Sequence, residues 1–136
     1  MANPKEIMLS AMKKEGNSCM CELVMRAFTT RNLLQFAHWS TDSYAKHEAL
    51  GEMYDSIVSK LDEIVEVYQG RFGLLNGLSA PAAAVPSNIL AHVEEESRWV
   101  GMNKSSIANG CEAVVALLDE LEACYLKSIY KLSNLK

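Results

Sequence analysis

Two long stretches with helical periodicity, joined by a short polar link, constrain the fold of this chain more than any other feature. In the first, apolar or small residues recur at steps of three and four, which predicts a helix from Asn17 or Ser18 to about Trp39. The second predicts a helix over residues 44–69, ended by Gly70. Hydroxyl and carboxylate side chains in residues 40–43 can cap its first turn. The two helices are therefore expected to form an antiparallel hairpin with a short loop.

The composition changes over residues 71–87, where glycines, prolines and alanines interrupt the helical period. A loop of this length fits a bundle in which one connection spans the whole length, as in ferritin-like topology, better than a bundle with short loops only. A third helix is predicted from about residue 88 to 100 or 102. A fourth ends near Leu132 and begins either after Asn103 or after Gly110. The predicted fold class is all-α, a ferritin-like four-helix bundle with one long crossover.

A short helix is predicted ahead of this bundle. Asn3 can serve as its N-cap, Pro4 suits the first helical position, Glu6 completes a capping box, and Gly16 marks its end. We expect residues 1–136 to form a single domain, with residues 1–16 as a short N-terminal helical extension. A chain of 136 residues is long enough to bury one core.

Composition and charge narrow the classes of function. No apolar run reaches the roughly eighteen residues that a membrane span needs, and the first residues lack the apolar segment of a signal peptide. We therefore expect a soluble, cytoplasmic protein. The net charge of −4 provides no basic field for a nucleic-acid backbone, so DNA is not an expected partner. The spacing of the four cysteines favours reduced, structural thiols over a metal knuckle.

One group of side chains suggests metal chemistry: His38 and His47, with Asp62 and Glu66 further along the second long helix. Asp62 and Glu66 are four residues apart and face the same way. His47 lies about 60° around the helix from Asp62 but about 22 Å from it along the axis. His38 precedes the hairpin loop and belongs with His47. The chain thus has a histidine end and a carboxylate end, which cannot hold one ion within a single subunit.

A two-fold axis would remove this obstacle, because an antiparallel copy of the helix brings the histidines of one subunit onto the carboxylates of the other. Gly51 lies on the same side and would let the partner backbone approach. Imidazole and carboxylate ligands together suit iron, manganese or zinc.

Plainer interpretations of the same residues remain open. Asp62 and Glu66 could form an ordinary solvated face, and a histidine after an apolar run is often a satisfied core residue. His92 has no such companions, and the acidic residues 94–96 beside it are expected at the surface. None of the three histidines follows a glutamate in the Glu-x-x-His spacing of the usual di-iron bundle.

The stretch from Phe36 to Gly70 resembles the Dps family of ferritin-like proteins. Members carry a His-Trp pair that ends the first helix, a His that opens the second, a Tyr-Asp pair, and an Asp-x-x-x-Glu before the second helix ends. The corresponding residues here are His38-Trp39, His47, Tyr54-Asp55, and Asp62 with Glu66. Short phage-encoded proteins of this type are more similar still, through HWSTDSYAKHEA at residues 38–49, YQG at 68–70 and YKLSNL at 130–135.

The resemblance implies a ferroxidase-type iron site at a subunit two-fold, which oxidises Fe(II) with peroxide or oxygen. Its ligands would be His38, His47, Asp62 and Glu66, with Trp39 as a neighbour. The implied partner is the chain itself, in a two-fold dimer at least, and in the family's own assembly as a dodecamer. Many members carry a further acidic residue at the position of Gly51. The alternative is a non-enzymatic phage structural or accessory protein that keeps the fold and the dimer without metal turnover.

Overall fold

The computed structural model describes residues 3–79 and 86–136, apart from the side chains of residues 8–16. Over these ranges the chain forms four helices and no strand. They are α1 (Pro4–Ser40), α2 (Tyr44–Phe72), α3 (Ile89–Ala108) and α4 (Glu112–Asn134). The all-α prediction is confirmed. No helix in the described part combines the length and the apolar character that crossing a membrane requires.

The helices pack as a bundle in which α1 contacts α2 and α3, and α4 contacts the same two helices. Ion pairs show that α2 and α4 are antiparallel, because Glu52 meets Lys131 whereas Lys60, further along α2, meets Glu120, earlier on α4. One continuous apolar core lies between the helices. Its largest fully buried side chains include Tyr68, Tyr125, Met20, Leu23, Leu34, Ile57, Ile64 and Leu121.

The described parts of the connection between α2 and α3 lie at opposite ends of the bundle. Just after α2 ends, Asn76 exchanges hydrogen bonds with Asn17 near one end of the packed part of α1. At the other end, Ile89 lines a cavity with Thr41 and Lys46 beside the α1–α2 link. The predicted crossover over residues 71–87 thus has its described parts at opposite ends, and residues 80–85 within it lie outside the described residues.

The N-terminal helix is continuous with the first long helix, so the predicted break at Gly16 is wrong. Asn3, Pro4 and Glu6 start α1 as expected, with a complete capping box. A single glycine inside a helix costs only about 1 kcal/mol relative to alanine, which the neighbouring turns can offset.

Two other helix ends, those of α2 and α3, differ from the sequence prediction. Gly70 lies inside α2, and Gly73, with φ of 95°, caps that helix instead. The helix α3 runs past residue 102 to Ala108, and within it the Asn103 side chain donates to the Trp99 carbonyl of the preceding turn. It ends at Asn109, whose φ of 51° is left-handed. Of the two predicted starts for α4, the one after Gly110 is confirmed.

Candidate functional site

The last turn of α1 and the first turn of α2 bring His38 and His47 into direct contact. Their rings stack with centroids 3.6 Å apart and planes 20° apart. The His38 Nδ1–H donates to the His47 carbonyl over 2.6 Å, and the His47 Nδ1–H donates to the His38 carbonyl over 2.8 Å. Each histidine therefore bonds the backbone of the other, and the pair joins the two helices at the hairpin.

These two hydrogen bonds determine which ring nitrogens are free. A carbonyl oxygen only accepts, so the proton of each neutral imidazole must be on Nδ1 and the lone pair on Nε2. A histidine that ligates a metal is commonly oriented in this way, with one ring nitrogen donating to a carbonyl. Both side chains are half-buried. The pair thus presents two Nε2 lone pairs near the surface.

Gly51 provides the space for His38. A Cβ atom at position 51 would lie 3.1 Å from Cε1 of His38 and 3.3 Å from its Nδ1. The space over Gly51 is occupied by a side chain of the same chain, so the expected approach of a partner backbone at that point is wrong. The Tyr54 ring stands nearly perpendicular to the His38 ring, with centroids 5.4 Å apart.

Asp62 and Glu66 lie further along α2, and both are exposed. Neither forms an ion pair with another described residue. Asp62 borders an apolar groove of about 180 Å³ between α1 and α2, which is also lined by Phe28 and Val58. The structure does not bring these carboxylates to the histidines, and no group of three or more His, Cys, Asp or Glu side chains among the described residues is placed to hold a metal ion.

The stacking limits how the two histidines can bind an ion. A ligating imidazole places the metal about 2.0–2.1 Å from the nitrogen, close to the plane of its ring. Two nearly parallel rings, 3.6 Å apart, cannot both direct their in-plane lone pairs at one point at that distance. In the observed arrangement, one ion can take a nitrogen from only one of the two.

Trp39, the predicted neighbour of the site, is 66% exposed on the outside of α1. Its ring contacts Phe36, with centroids 6.1 Å apart. Tyr44, at the start of α2, is also exposed. The hairpin end therefore carries exposed aromatic side chains near the histidine pair.

A second polar cluster, between α1 and α3, was missed by the sequence analysis. The Arg26 guanidinium donates to both Glu96 carboxylate oxygens, at 3.0 and 3.3 Å, and lies 4.3 Å above the Trp99 ring. One turn away, the buried Thr30 hydroxyl is 3.0 Å from Nε2 of His92. Glu96 is only 7% exposed, so its predicted surface position is wrong. Glu96 lies three residues after Val93 and four before Val100, on the apolar stripe of α3, and this spacing could have predicted its burial.

The described thiols with a shifted pKa are those of Cys21 and Cys124. Burial raises the pKa of both, which favours the protonated thiol. The Cys21 thiol donates to the Asn76 carbonyl over 3.0 Å. These contacts agree with structural cysteines rather than nucleophiles.

A family model covers most of the chain. It is described as a family of unknown function, DUF5856, and it matches residues 38–132. The chain belongs to this family. The matched region begins at His38, includes His47, Asp62 and Glu66, and ends within α4. No curated protein and no solved structure matches the chain. The family membership therefore carries no activity with it, and function has to be argued from the residues.

Proposed function

We propose that this protein binds Fe(II) at a site shared between two copies of the chain, and that its bundle is the ferritin-like one of Dps-like proteins. Each site would combine a nitrogen from the His38–His47 pair of one subunit with Asp62 and Glu66 of the other. Oxidation of the bound Fe(II) by peroxide or oxygen is the activity to test for such a site. Zinc and manganese are the alternative metals for this ligand set.

The observation that carries the proposal is the state of the two imidazoles. Both Nδ1–H groups are bound to carbonyls, and both Nε2 lone pairs remain without a partner among the described residues. His92 differs in which nitrogen it uses, because its Nε2, the ring nitrogen further from the backbone, is bonded to the Thr30 hydroxyl inside the bundle. The pair therefore has the tautomer and the free nitrogen that a metal ligand needs.

The carboxylate end supports the same proposal. Asp62 and Glu66 lie on the side of α2 that His47 also occupies, about 22 Å away along the axis. An antiparallel copy of α2 that crosses midway between His47 and the carboxylates, at about residues 54–57, would bring each histidine pair to the opposite carboxylates. Val58 is exposed and lines the apolar groove beside Asp62, and burial of such a surface favours association. Two half-sites on one face are arranged as a two-fold dimer requires.

The bundle supports the proposed fold class. Its long α2–α3 connection joins opposite ends, and each helix packs against two others, as in ferritin-like bundles. This topology places the α1–α2 hairpin on one side, where its outer face can meet a second copy.

Anaerobic Fe(II) titration, combined with a mass measurement in solution, tests the proposal. Wild-type protein should be at least a dimer and should bind metal, whereas the His47→Ala and Asp62→Ala variants should each lose binding. Glu63→Ala is the matched control, because Glu63 is an exposed neighbour of Asp62 whose helical position points about 100° away from it. A monomer in solution, or equal binding in all three variants and the wild type, would contradict the shared site.

A second candidate function rests on a different aspect of the same pair. The reciprocal hydrogen bonds and the stacking join α1 to α2 without any metal, as a purely structural contact would. On this view the protein is a non-enzymatic structural or accessory helical protein, encoded by a phage, that keeps the fold and the dimer. A dimeric wild type that takes up no metal, and shows no iron-dependent absorbance change with peroxide, would favour it.

A further inference from the structure

We propose that His47 alone supplies the nitrogen ligand, and that His38 is a positioning residue that holds His47 and the first turn of α2 in place. This inference rests on the proposed function and assigns different roles to the two histidines. It departs from the expectation that both are ligands.

The first reason is the geometry of the stacked rings. Their planes are only 20° apart and their centroids 3.6 Å apart, so their lone pairs point along nearly parallel planes. For both to bind one ion, one ring would have to turn out of the stack and give up its Nδ1 hydrogen bond. Ligation by one ring requires no such rearrangement.

The second reason is that the surroundings of the two rings differ. The His38 ring is enclosed by the His47 ring, by the nearly perpendicular Tyr54 ring and by the backbone at Gly51. Among the described residues, the His47 ring contacts only the His38 ring, and its Nδ1–H donates to the His38 carbonyl. The His47 ring thus has fewer neighbours to displace than the His38 ring.

The third reason is the position of each histidine in the chain. His47 belongs to α2, the helix that also carries Asp62 and Glu66, and it lies on their side of that helix. A partner α2 that presents its carboxylates to this face meets His47 directly. His38 belongs to α1 and reaches over Gly51 from the neighbouring helix.

The positioning role of His38 depends on its Nδ1–H, which donates to the His47 carbonyl, and on its ring, which packs against the His47 ring. Loss of a group that orients a ligand usually lowers metal affinity by about 10–100-fold. His38→Ala should therefore weaken binding by that order. His38→Asn should recover most of the loss, because the asparagine amide N–H takes the place of Nδ1–H without providing a lone pair at Nε2.

The experiment uses full-length protein and Cu(II), below one equivalent, as the probe. Electron spin echo modulation detects the remote nitrogen of each coordinated imidazole and so counts the histidines bound. We expect one imidazole in the wild type and in His38→Asn, and none in His47→Asn. His38→Gln provides the matched control, because its amide reaches the position of Nε2 rather than Nδ1 and should bind as weakly as His38→Ala.

Affinity for Zn(II), measured by competition with a chelating dye, is the second readout, and thermal melts confirm that each variant folds. Two coordinated imidazoles in the wild type, or binding by His38→Asn as weak as that of His47→Asn, would overturn the division of roles and leave the shared site intact. Wild-type protein that binds neither metal would instead overturn the proposed function, and this inference with it.

Discussion

The helix α1 forms two polar contacts that contain histidine, and the contrast between them indicates where chemistry can occur. In the contact with α3, Nε2 of His92 is bonded to the buried Thr30 hydroxyl, next to the Arg26–Glu96 ion pair. In the contact with α2, both Nε2 atoms of His38 and His47 are left over after the hydrogen bonds are made. In the first cluster Nε2 is bonded within the bundle, whereas in the second both Nε2 atoms keep a lone pair that is available to a metal ion.

The contrast shows that a histidine has to be judged by which of its two ring nitrogens the fold uses. A polar cluster built around the buried Thr30 and Glu96 contributes to stability and to the register of two helices. A half-buried pair with defined tautomers and free lone pairs is suited to binding. Changes in the α1–α3 cluster should therefore alter the free energy of unfolding, and changes in the α1–α2 pair should mainly alter metal binding.

The largest expected change in stability comes from Glu96→Ala. This substitution leaves the Arg26 guanidinium without its buried partner, which costs about 3–5 kcal/mol when the group is fully enclosed. Because the Arg26 side chain is 28% exposed, we expect a smaller loss, about 2–3 kcal/mol of unfolding free energy in urea titrations. Glu22→Ala removes the other, exposed partner of Arg26 and should cost less than about 0.5 kcal/mol. Equal losses in the two variants would mean that Glu96 is not the partner that matters.

An intermediate effect is expected when alanine replaces the two glycines inside α2. Gly70→Ala should raise the free energy of unfolding by about 0.5–1 kcal/mol, because a Cβ there meets nothing within 4 Å. Gly51→Ala should not raise the free energy of unfolding in this way, since its Cβ would press on the His38 ring. That ring is held in place by its hydrogen bond to the His47 carbonyl and by its stacking on the His47 ring. In the His38→Ala background, Gly51→Ala should stabilise as Gly70→Ala does. Stabilisation of the wild type by Gly51→Ala would show that the histidine pair is not fixed.

The last effect is absent at neutral pH and appears only at alkaline pH, and it tests the α1–α3 side of the comparison. Burial, with a further contribution from the charge of Glu96, holds the pKa of Tyr125 far above its usual range. Its proton is lost from the unfolded chain above about pH 10 but retained in the folded one, so stability should fall there by at most about 1.4 kcal/mol per pH unit. Urea titrations at pH 8 to 11 should show a smaller fall in Tyr125→Phe, and Tyr130→Phe, at an exposed site, should match the wild type. An unchanged slope in Tyr125→Phe would contradict the burial argument.

The regular part of this fold could be predicted from the sequence. Apolar periodicity and the caps at Asn3 and Ser43 determine where α1 and α2 begin and which sides they bury. The helix ends at glycines were predicted wrongly, because Gly16 and Gly70 lie inside helices whereas Gly73 ends one. Whether a glycine ends a helix depends on tertiary contacts around the next turn, and a single sequence does not contain that information.

The distance between the histidines and the carboxylates could be predicted from the sequence, but the contact between the two histidines could not. Helix geometry alone divides the residues into a histidine end and a carboxylate end. The stacking of His38 on His47, and the space that Gly51 leaves for it, depend on how α1 and α2 pack against each other on either side of the link at residues 41–43. The buried position of Glu96 likewise depends on Arg26, seventy residues away in the chain.

Complementation between two defective variants tests the shared site most directly. In a dimer of His47→Ala with Asp62→Ala, one site lacks both groups and the other keeps an intact histidine pair opposite intact carboxylates. Co-expressed subunits with different affinity tags allow this mixed dimer to be isolated, and each variant alone is the control. We predict that neither variant binds Fe(II) by itself and that the mixed dimer recovers one of its two sites. A mixed dimer that binds no more Fe(II) than its parents would contradict a site shared between subunits.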